Sequence, residues 1–161
     1  MPDLLHPGDT FPALTVTFPG GSTAALPDLL EGHFGVVLFY RGSWCPYCKA
    51  QLLAFRRAQG TLDELGVKVV ALSVDDEATT SALVDRFKLT FPVGHSADAR
   101  AVADLTGAFV NPEPEYLQTT GFLLDPQGRV VVAVYSNGAI GSLVPEDVAG
   151  LVRYVKEHAE Q

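Results

Sequence analysis

The only two cysteines of this 161-residue chain lie three positions apart, at Cys45 and Cys48. Thiols at this spacing can close a disulfide within one helical turn, and a C-x-x-C pair at the start of a helix is typical of thiol redox sites. The preceding residues 36–40 form an apolar β-type run, residues 41–43 form a polar turn, and Pro46 suits the first position of a helix. The pattern therefore predicts a redox dithiol between a strand and a helix.

Helix-start geometry favours Cys45 as the reactive thiolate. As the N-cap residue it would face the unpaired N–H groups and the positive end of the helix dipole, which stabilise a negative charge. Arg41 adds a permanent positive charge four residues earlier. We therefore assign Cys45, Cys48 and Arg41 to the catalytic set. The substrate-binding set includes Pro46, Tyr47 and Trp44, and Trp44 is expected to shield one side of the Cys45 sulfur.

Two other roles for the thiols have to be weighed. Free cysteines are often buried structural residues, but inert core thiols have no reason to flank Pro46 and Tyr47 at a helix start. A zinc site needs four ligands, and the histidines lie far apart in the sequence, at His6, His33, His95 and His158. We therefore expect neither a metal ion nor another cofactor.

Charge and hydropathy limit the partners. Eleven basic and nineteen acidic residues give a net charge of −8, and no basic cluster is present, so we expect neither nucleic acid nor a membrane as a partner. The N-terminal residues lack a signal-peptide pattern, and no apolar stretch approaches the roughly 20 residues of a membrane span. We therefore expect a cytoplasmic protein, and in that reducing compartment a C-x-x-C is more often catalytic than structural.

Periodicity and turn residues predict an α/β chain with a mixed sheet covered by helices on both sides, in a single domain over residues 1–161. A predicted N-terminal β-hairpin pairs residues 13–17 with 23–26. Further strands are predicted at 36–40, 67–74, 90–93, 121–124 and 129–134. Helices are predicted at 46–65, 76–87, 97–105 and 145–158, with Asp76 and Ser96 as caps of the middle two. Residues 111–115 contain two prolines and predict a rigid surface loop.

This pattern resembles the peroxiredoxin-like family, the alkyl hydroperoxide reductase and thiol-specific antioxidant group of the thioredoxin fold, in its C-x-x-C-bearing branch. The likeness covers nearly the whole chain and rests on residues 8–12, 39–48, 91–92, 96–98 and 121–128. It implies a thioredoxin-like fold, with a central mixed β-sheet flanked by helices and an N-terminal β-hairpin. It also implies an oxidoreductase, a thiol peroxidase that reduces hydroperoxides through a Cys45/Cys48 cycle.

The chain departs from the family at three positions. Typical members have a proline seven residues and a threonine or serine three residues before the cysteine that attacks the peroxide. If Cys48 is that cysteine, Arg41 and Cys45 occupy these positions, and Thr119 replaces a further family arginine. The resemblance places Thr119 and Thr120 in the substrate-binding set. Alignment thus implies that Cys48 attacks, whereas helix-start geometry favours Cys45, and the sequence leaves this choice open.

Three functions follow as hypotheses. In the first, a thiolate attacks a peroxide, becomes a sulfenic acid and is converted to an intramolecular disulfide, which a thioredoxin-like or glutathione donor reduces. The alternative is a thioredoxin- or glutaredoxin-like thiol–disulfide oxidoreductase that works through a mixed disulfide. The third is a redox-sensing module. The resemblance is also compatible with a homodimer.

Overall fold

The computed structural model describes residues 3–159. The strands are β1 (Leu14–Thr17), β2 (Thr23–Leu26), β3 (Phe34–Phe39), β4 (Val67–Leu72), β5 (Val93–Gly94), β6 (Val110–Pro112), β7 (Glu115–Leu117), β8 (Thr120–Leu124) and β9 (Val130–Tyr135). The helices are α1 (Pro46–Arg57), α2 (Gln59–Glu64), α3 (Glu77–Phe87), α4 (Ala99–Thr106) and α5 (Pro145–Ala159).

The central sheet has five strands in the order β5-β4-β3-β8-β9. Strands β3, β4 and β5 run parallel, whereas β8 is antiparallel to both β3 and β9. All six residues of the central strand β3 are buried, as expected for a strand that is covered on both faces. The predicted mixed sheet is confirmed, and so is the N-terminal hairpin, which β1 and β2 form.

Helices cover both faces of this sheet, as predicted. On one face α1, α2, α3 and α5 bury the apolar side chains of Leu52, Phe55, Leu62, Leu83, Val148 and Val152 against alternate strand residues. On the other face the β1–β2 hairpin and α4 bury Leu14, Val16, Leu26, Ala99 and Val102. Within residues 3–159, no helix combines the length and the apolar character needed to cross a membrane.

Two helices have different limits from those predicted. The predicted helix over 46–65 is divided at Ala58, which is the C-cap of α1 and the N-cap of α2. Gly60 lies just beyond this break, where its low helix propensity weakens the continuous helix. Helix α4 begins later than predicted because Asp98 is its cap and accepts a hydrogen bond from the Ala101 N–H (3.1 Å). Ser96, the predicted cap, instead lies at φ 56°.

The proline-rich segment 111–115 forms a β-hairpin rather than the predicted surface loop. Strands β6 and β7 pair antiparallel, with Val110 opposite Leu117. Leu117 is fully buried and belongs to the core beneath the sheet, so it anchors the hairpin. The Gln118 N–H donates a hydrogen bond to the Phe109 carbonyl (2.9 Å) and extends the pairing by one step. The hairpin is therefore a fixed element directly before β8.

Close packing beneath β5 predicts a stability effect. A methyl group added at Gly94 would overlap the Val16 and Leu72 side chains. Gly94→Ala should therefore lower the free energy of unfolding by about 1–3 kcal/mol, the usual cost of overpacking a core. Urea denaturation of the reduced protein measures this. Gly150→Ala is the matched control, because a methyl group in that interior turn of α5 meets open space and should stabilise by about 0.5–1 kcal/mol.

Candidate active site

The dithiol lies where β3 leaves the sheet and α1 begins. The connecting turn is fixed from β4 and the loop after it, because the Tyr40 N–H donates to the Leu72 carbonyl (3.1 Å) and the Ser43 N–H donates to Asp75 Oδ2 (2.8 Å). Burial raises the pKa of the Asp75 carboxyl, although the Ser43 N–H opposes that shift. The position is the carboxyl end of a central parallel strand, where ligand sites of open α/β sheets lie.

Cys45 is the N-cap residue of α1, and Pro46 is the first helical residue. The Cys45 Sγ accepts a hydrogen bond from the Cys48 N–H (3.3 Å), one of the N–H groups that have no partner within the helix. A second donor, Nη1 of Arg41, lies 3.8 Å from the same sulfur. Cys45 is fully buried, so both donors act on the sulfur with little competition from water.

Cys48 lies one turn further into α1 and is also buried. Its Sγ accepts a hydrogen bond from the backbone N–H of Arg41 (3.4 Å). Both cysteines are free thiols in this structure. One residue, Arg41, therefore contacts both sulfurs, Cys48 through its backbone and Cys45 through its side chain.

These contacts separate the two thiols electrostatically. Burial would raise the pKa of Cys45, but the hydrogen bonds from Cys48 and from Arg41 outweigh it and hold the pKa of Cys45 below its ordinary value. For Cys48, burial and the neighbouring Cys45 sulfur act together and raise the pKa of Cys48, despite the Arg41 N–H. The pKa shifts therefore favour Cys45 over Cys48 as the sulfur that ionises more readily.

The Arg41 side chain is held by two residues that the sequence analysis missed. Its Nε donates to Gln118 Oε1 (3.0 Å), and its Nη2 donates to the Tyr116 hydroxyl (2.9 Å). The Trp44 ring lies 5.0 Å from the Arg41 guanidinium and packs edge-on against Tyr116. Tyr116 and Gln118 are two residues apart on and just after β7. The only sequence signal for Tyr116 and Gln118 is the alternation of polar and apolar residues around Leu117, over a segment too short for a prediction.

Trp44 and Tyr47 lie at the surface beside the dithiol and contact different parts of the chain. The Trp44 ring contacts Arg41 and Tyr116, and a methyl group added at Gly42 would overlap the indole. The shielding of the Cys45 sulfur by Trp44 stays a prediction. About half of Trp44 and 61% of Tyr47 are exposed. Tyr47 lines a shallow groove with Ile140 and Pro145 next to α1. Both aromatic side chains thus flank the dithiol at the surface.

Thr119 lies between β7 and β8, Thr120 is the first residue of β8, and both are buried. The Thr120 hydroxyl donates to the Gln118 carbonyl (3.0 Å). The Thr119 hydroxyl has no hydrogen-bond partner among residues 3–159. The structure therefore brings Arg41, Trp44, Pro46 and both cysteines together. Thr120 lies opposite Phe39, the last residue of β3. Across the same residues, no group of three or more His, Cys, Asp or Glu side chains could hold a metal ion.

Comparison with known proteins identifies the family of this chain. The model of the AhpC/TSA family matches residues 7–133. The chain belongs to the AhpC/TSA family. The predicted peroxiredoxin-like resemblance is therefore confirmed, and with it the class of thiol-dependent oxidoreductase.

Individual relatives agree with this assignment. A protein named peroxiredoxin from Methanothermobacter thermautotrophicus is 29% identical over 147 residues, which are 88% of this chain and 69% of the relative. The thiol-disulfide oxidoreductase ResA of Oceanobacillus iheyensis is 34% identical over 110 residues, which are 68% of this chain and 52% of the relative. The crystal structure of a peroxiredoxin 6 mutant of Arenicola marina superposes with a TM-score of 0.84 at 17% identity, covering 98% of this chain and 76% of that chain. This last likeness concerns the fold.

Proposed function

We propose that this AhpC/TSA protein is a thiol peroxidase in which Cys45 attacks the hydroperoxide and Cys48 resolves the product as an intramolecular disulfide. The observation that carries the proposal is the set of donors on the Cys45 sulfur, the Cys48 N–H at 3.3 Å and the Arg41 guanidinium at 3.8 Å. The thiolate is the nucleophilic form of cysteine, and both donors favour it. The family resemblance favours Cys48, but burial and the neighbouring Cys45 sulfur raise the pKa of Cys48 and disfavour its thiolate.

In the first step the Cys45 thiolate attacks the terminal oxygen of the hydroperoxide. An S–O bond forms, the O–O bond breaks, and the departing alkoxide takes up a proton and leaves as alcohol, or as water from hydrogen peroxide. The sulfur becomes a sulfenic acid and the peroxide is reduced by two electrons. The Arg41 guanidinium, which is always charged, would stabilise the negative charge on the oxygens as the O–O bond breaks.

In the second step the Cys48 thiol attacks the sulfenic sulfur of Cys45. An S–S bond forms, the S–O bond breaks, and the Cys48 proton leaves with the hydroxide as water. The two cysteines lie in one helical turn, so little movement is required. External thiols then reduce the disulfide through a mixed disulfide. We propose as donor either a thioredoxin-like protein, whose own dithiol becomes a disulfide, or two molecules of glutathione, which leave as glutathione disulfide.

The remaining predicted residues take supporting roles in this proposal. Trp44 and Tyr47 flank the dithiol and offer apolar surface to a hydroperoxide or to the electron donor, and Pro46 fixes the start of α1. Cys45 has no exposed surface, so substrate reaches it through a local displacement of the side chains above the turn. The buried hydroxyls of Thr119 and Thr120 would shape the wall behind Gln118.

The same proposal covers the setting of the reaction. We place the protein in the cytoplasm, where a reducing thiol pool maintains a catalytic dithiol. We propose that residues 1–161 act as one domain that needs neither a metal nor another cofactor, because both electrons come from the two thiols. A homodimer is compatible with this cycle, since every residue of the proposed chemistry comes from one chain.

A thiol–disulfide oxidoreductase is the second candidate. The 34% identity to ResA of Oceanobacillus iheyensis supports it, as does an N-cap thiolate that precedes a neutral thiol in a C-x-x-C. In that reaction the Cys45 thiolate attacks a substrate disulfide, and Cys48 releases the mixed disulfide. The two candidates use the same sulfurs in the same order and differ only in the oxidant.

Stopped-flow oxidation of the reduced protein by hydrogen peroxide separates them. Trp44 is the only tryptophan and adjoins Cys45, so its fluorescence reports the state of the dithiol. We expect oxidation roughly 100-fold faster than that of free cysteine at the same pH, which corresponds to about 2.7 kcal/mol of transition-state stabilisation. Rates no faster than free cysteine would rule out the peroxidase. Fast oxidation by a protein disulfide in the same protein would then assign the oxidoreductase.

A further inference from the structure

The position of the Arg41 guanidinium is not set by its own segment. Arg41 lies in the turn after β3, and its side chain has enough rotatable bonds to reach solvent. Its contact with the Cys45 sulfur is long, at 3.8 Å, whereas its bonds to Gln118 and Tyr116 are short, at 3.0 and 2.9 Å. The Gln118 and Tyr116 oxygens therefore fix the guanidinium. Its remaining nitrogen, Nη1, then faces the Cys45 sulfur.

The two acceptors are rigidly mounted. Residues two apart on a strand share a face, so Tyr116 and Gln118 point the same way while Leu117 between them points into the core. Strand β7, which carries Tyr116, is paired with β6, and the exposed Arg100–Glu115 ion pair (3.3 Å) links it to α4. Gln118 is itself buried, and Arg41 is the donor to its side-chain oxygen.

The acceptors hold Arg41 at two points of its planar fork. A bond at Nε and another at Nη2 define both the place and the tilt of the group, as bidentate arginine contacts do. The Tyr116 ring lies 5.2 Å from the guanidinium and Trp44 lies 5.0 Å from it, so aromatic faces restrict it further. Nη1 is the nitrogen that faces Cys45.

Arg41 contacts both sulfurs, but only the contact with Cys45 depends on the position of the Arg41 side chain. The backbone N–H on Cys48 is fixed by the turn, and a neutral N–H is a weak stabiliser of charge. The guanidinium on Cys45 carries a full charge and depends on where the hairpin holds it. The difference in charge stabilisation between the two sulfurs therefore depends in part on Tyr116 and Gln118, which lie 75 and 77 positions after Arg41 in the sequence.

We propose that Tyr116 and Gln118 are positioning residues that hold the Arg41 guanidinium against the Cys45 sulfur and thereby select Cys45 as the attacking cysteine. This inference rests on the proposed function for its consequence, the choice of nucleophile, but the ionisation of Cys45 can be measured without any oxidant. The β6–β7 hairpin, which the sequence predicts as a surface loop, becomes part of the catalytic apparatus.

The test measures thiolate ultraviolet absorbance against pH in a Cys48→Ser background, where Cys45 is the only thiol. Tyr116→Phe retains the ring and removes the acceptor, and Gln118→Met retains the length and removes the acceptor. Each should reduce the ratio of thiolate to thiol at a fixed pH in the titration range by about 2- to 3-fold, and the pair by about tenfold. Tyr154→Phe and Gln127→Met, at exposed positions on α5 and in the β8–β9 turn, should change nothing.

A third substitution, Arg41→Met, distinguishes positioning of Arg41 by Tyr116 and Gln118 from a purely structural role of these two residues. When Arg41→Met is already present, Tyr116→Phe and Gln118→Met should have no further effect on Cys45 ionisation, because the group that they position is gone. An undiminished effect in that background, or no effect with Arg41 present, overturns the inference. If Gln118→Met does not fold, Tyr116→Phe alone carries the same comparison. Slow oxidation of the unaltered protein by peroxide would instead remove the proposed function and leave this result standing.

Discussion

Replacing Cys45 by serine should abolish the fast reaction with hydrogen peroxide, with the second-order rate constant falling on the order of 1,000-fold. A serine hydroxyl at this position stays protonated, so the N–H of Cys48 and the Arg41 guanidinium no longer have a thiolate to stabilise. The remaining thiol, Cys48, has a raised pKa because it is buried and adjoins residue 45, so it should be a poor substitute. Stopped-flow fluorescence of Trp44 gives the rate, and mass spectrometry identifies the oxidised residue.

Cys48→Ser is the matched variant, and it should separate the two steps. The first oxidation should remain within about threefold of the unaltered protein, since the backbone N–H of residue 48 still faces Cys45. No disulfide can form, so Cys45 should accumulate as a sulfenic acid and proceed to the sulfinic acid with excess peroxide. The opposite pattern, with fast oxidation lost only in Cys48→Ser, would assign the attack to Cys48, as the family alignment implies.

The dithiol itself could be predicted because its signals are local. The apolar run of β3, the turn, and Pro46 after Cys45 all lie within about a dozen residues, and hydrogen bonds between near neighbours determine the geometry. The five-stranded sheet was predictable for a related reason. Its buried strands read as apolar runs separated by helices, and this pattern leaves few topologies.

The partners of Arg41 could not be predicted in the same way. Tyr116 and Gln118 reach the guanidinium across 75 and 77 residues of sequence, and no local pattern links them to it. Strand β7 has only three residues, too few for alternation to be distinguished from a loop, and the prolines at 112 and 114 point to a loop. The position of Trp44 has the same origin. It packs on Arg41 and Tyr116, so its place depends on the hairpin.

The positive charge at the site comes from the turn before Cys45. Thr119 stands where the resemblance implies an arginine, and its buried hydroxyl cannot supply a charge. Arg41 supplies one from the turn after β3, and the segment just before Thr119 supplies the acceptors that hold it. The charge and the groups that position it therefore come from two different parts of the chain.

Removal of that charge is the second large effect that we expect. Arg41→Met should lower the rate of peroxide oxidation at pH 7 by more than about tenfold, because the loss of thiolate multiplies the deficit expected on the fully ionised plateau. The sign follows from the thiolate. Because the guanidinium helps to hold the pKa of Cys45 below its ordinary value, its loss raises that pKa, and less thiolate is present at neutral pH. The rate should therefore rise with pH to a plateau, with its midpoint shifted upward in the variant. Arg153→Met removes an equal charge from an exposed position on α5 and should leave the profile unchanged.

The height of the plateau distinguishes two roles of Arg41. If the guanidinium only promotes ionisation, the variant should equal or exceed the unaltered protein once both are fully ionised, because thiolate nucleophilicity rises with pKa. If it also contacts the hydroperoxide, a deficit should persist on the plateau, and we expect about tenfold, or about 1.4 kcal/mol of lost transition-state stabilisation. A profile that does not move at all would show that the guanidinium 3.8 Å from Cys45 has no influence on the sulfur. The helix N-terminus alone would then account for the reactivity of Cys45.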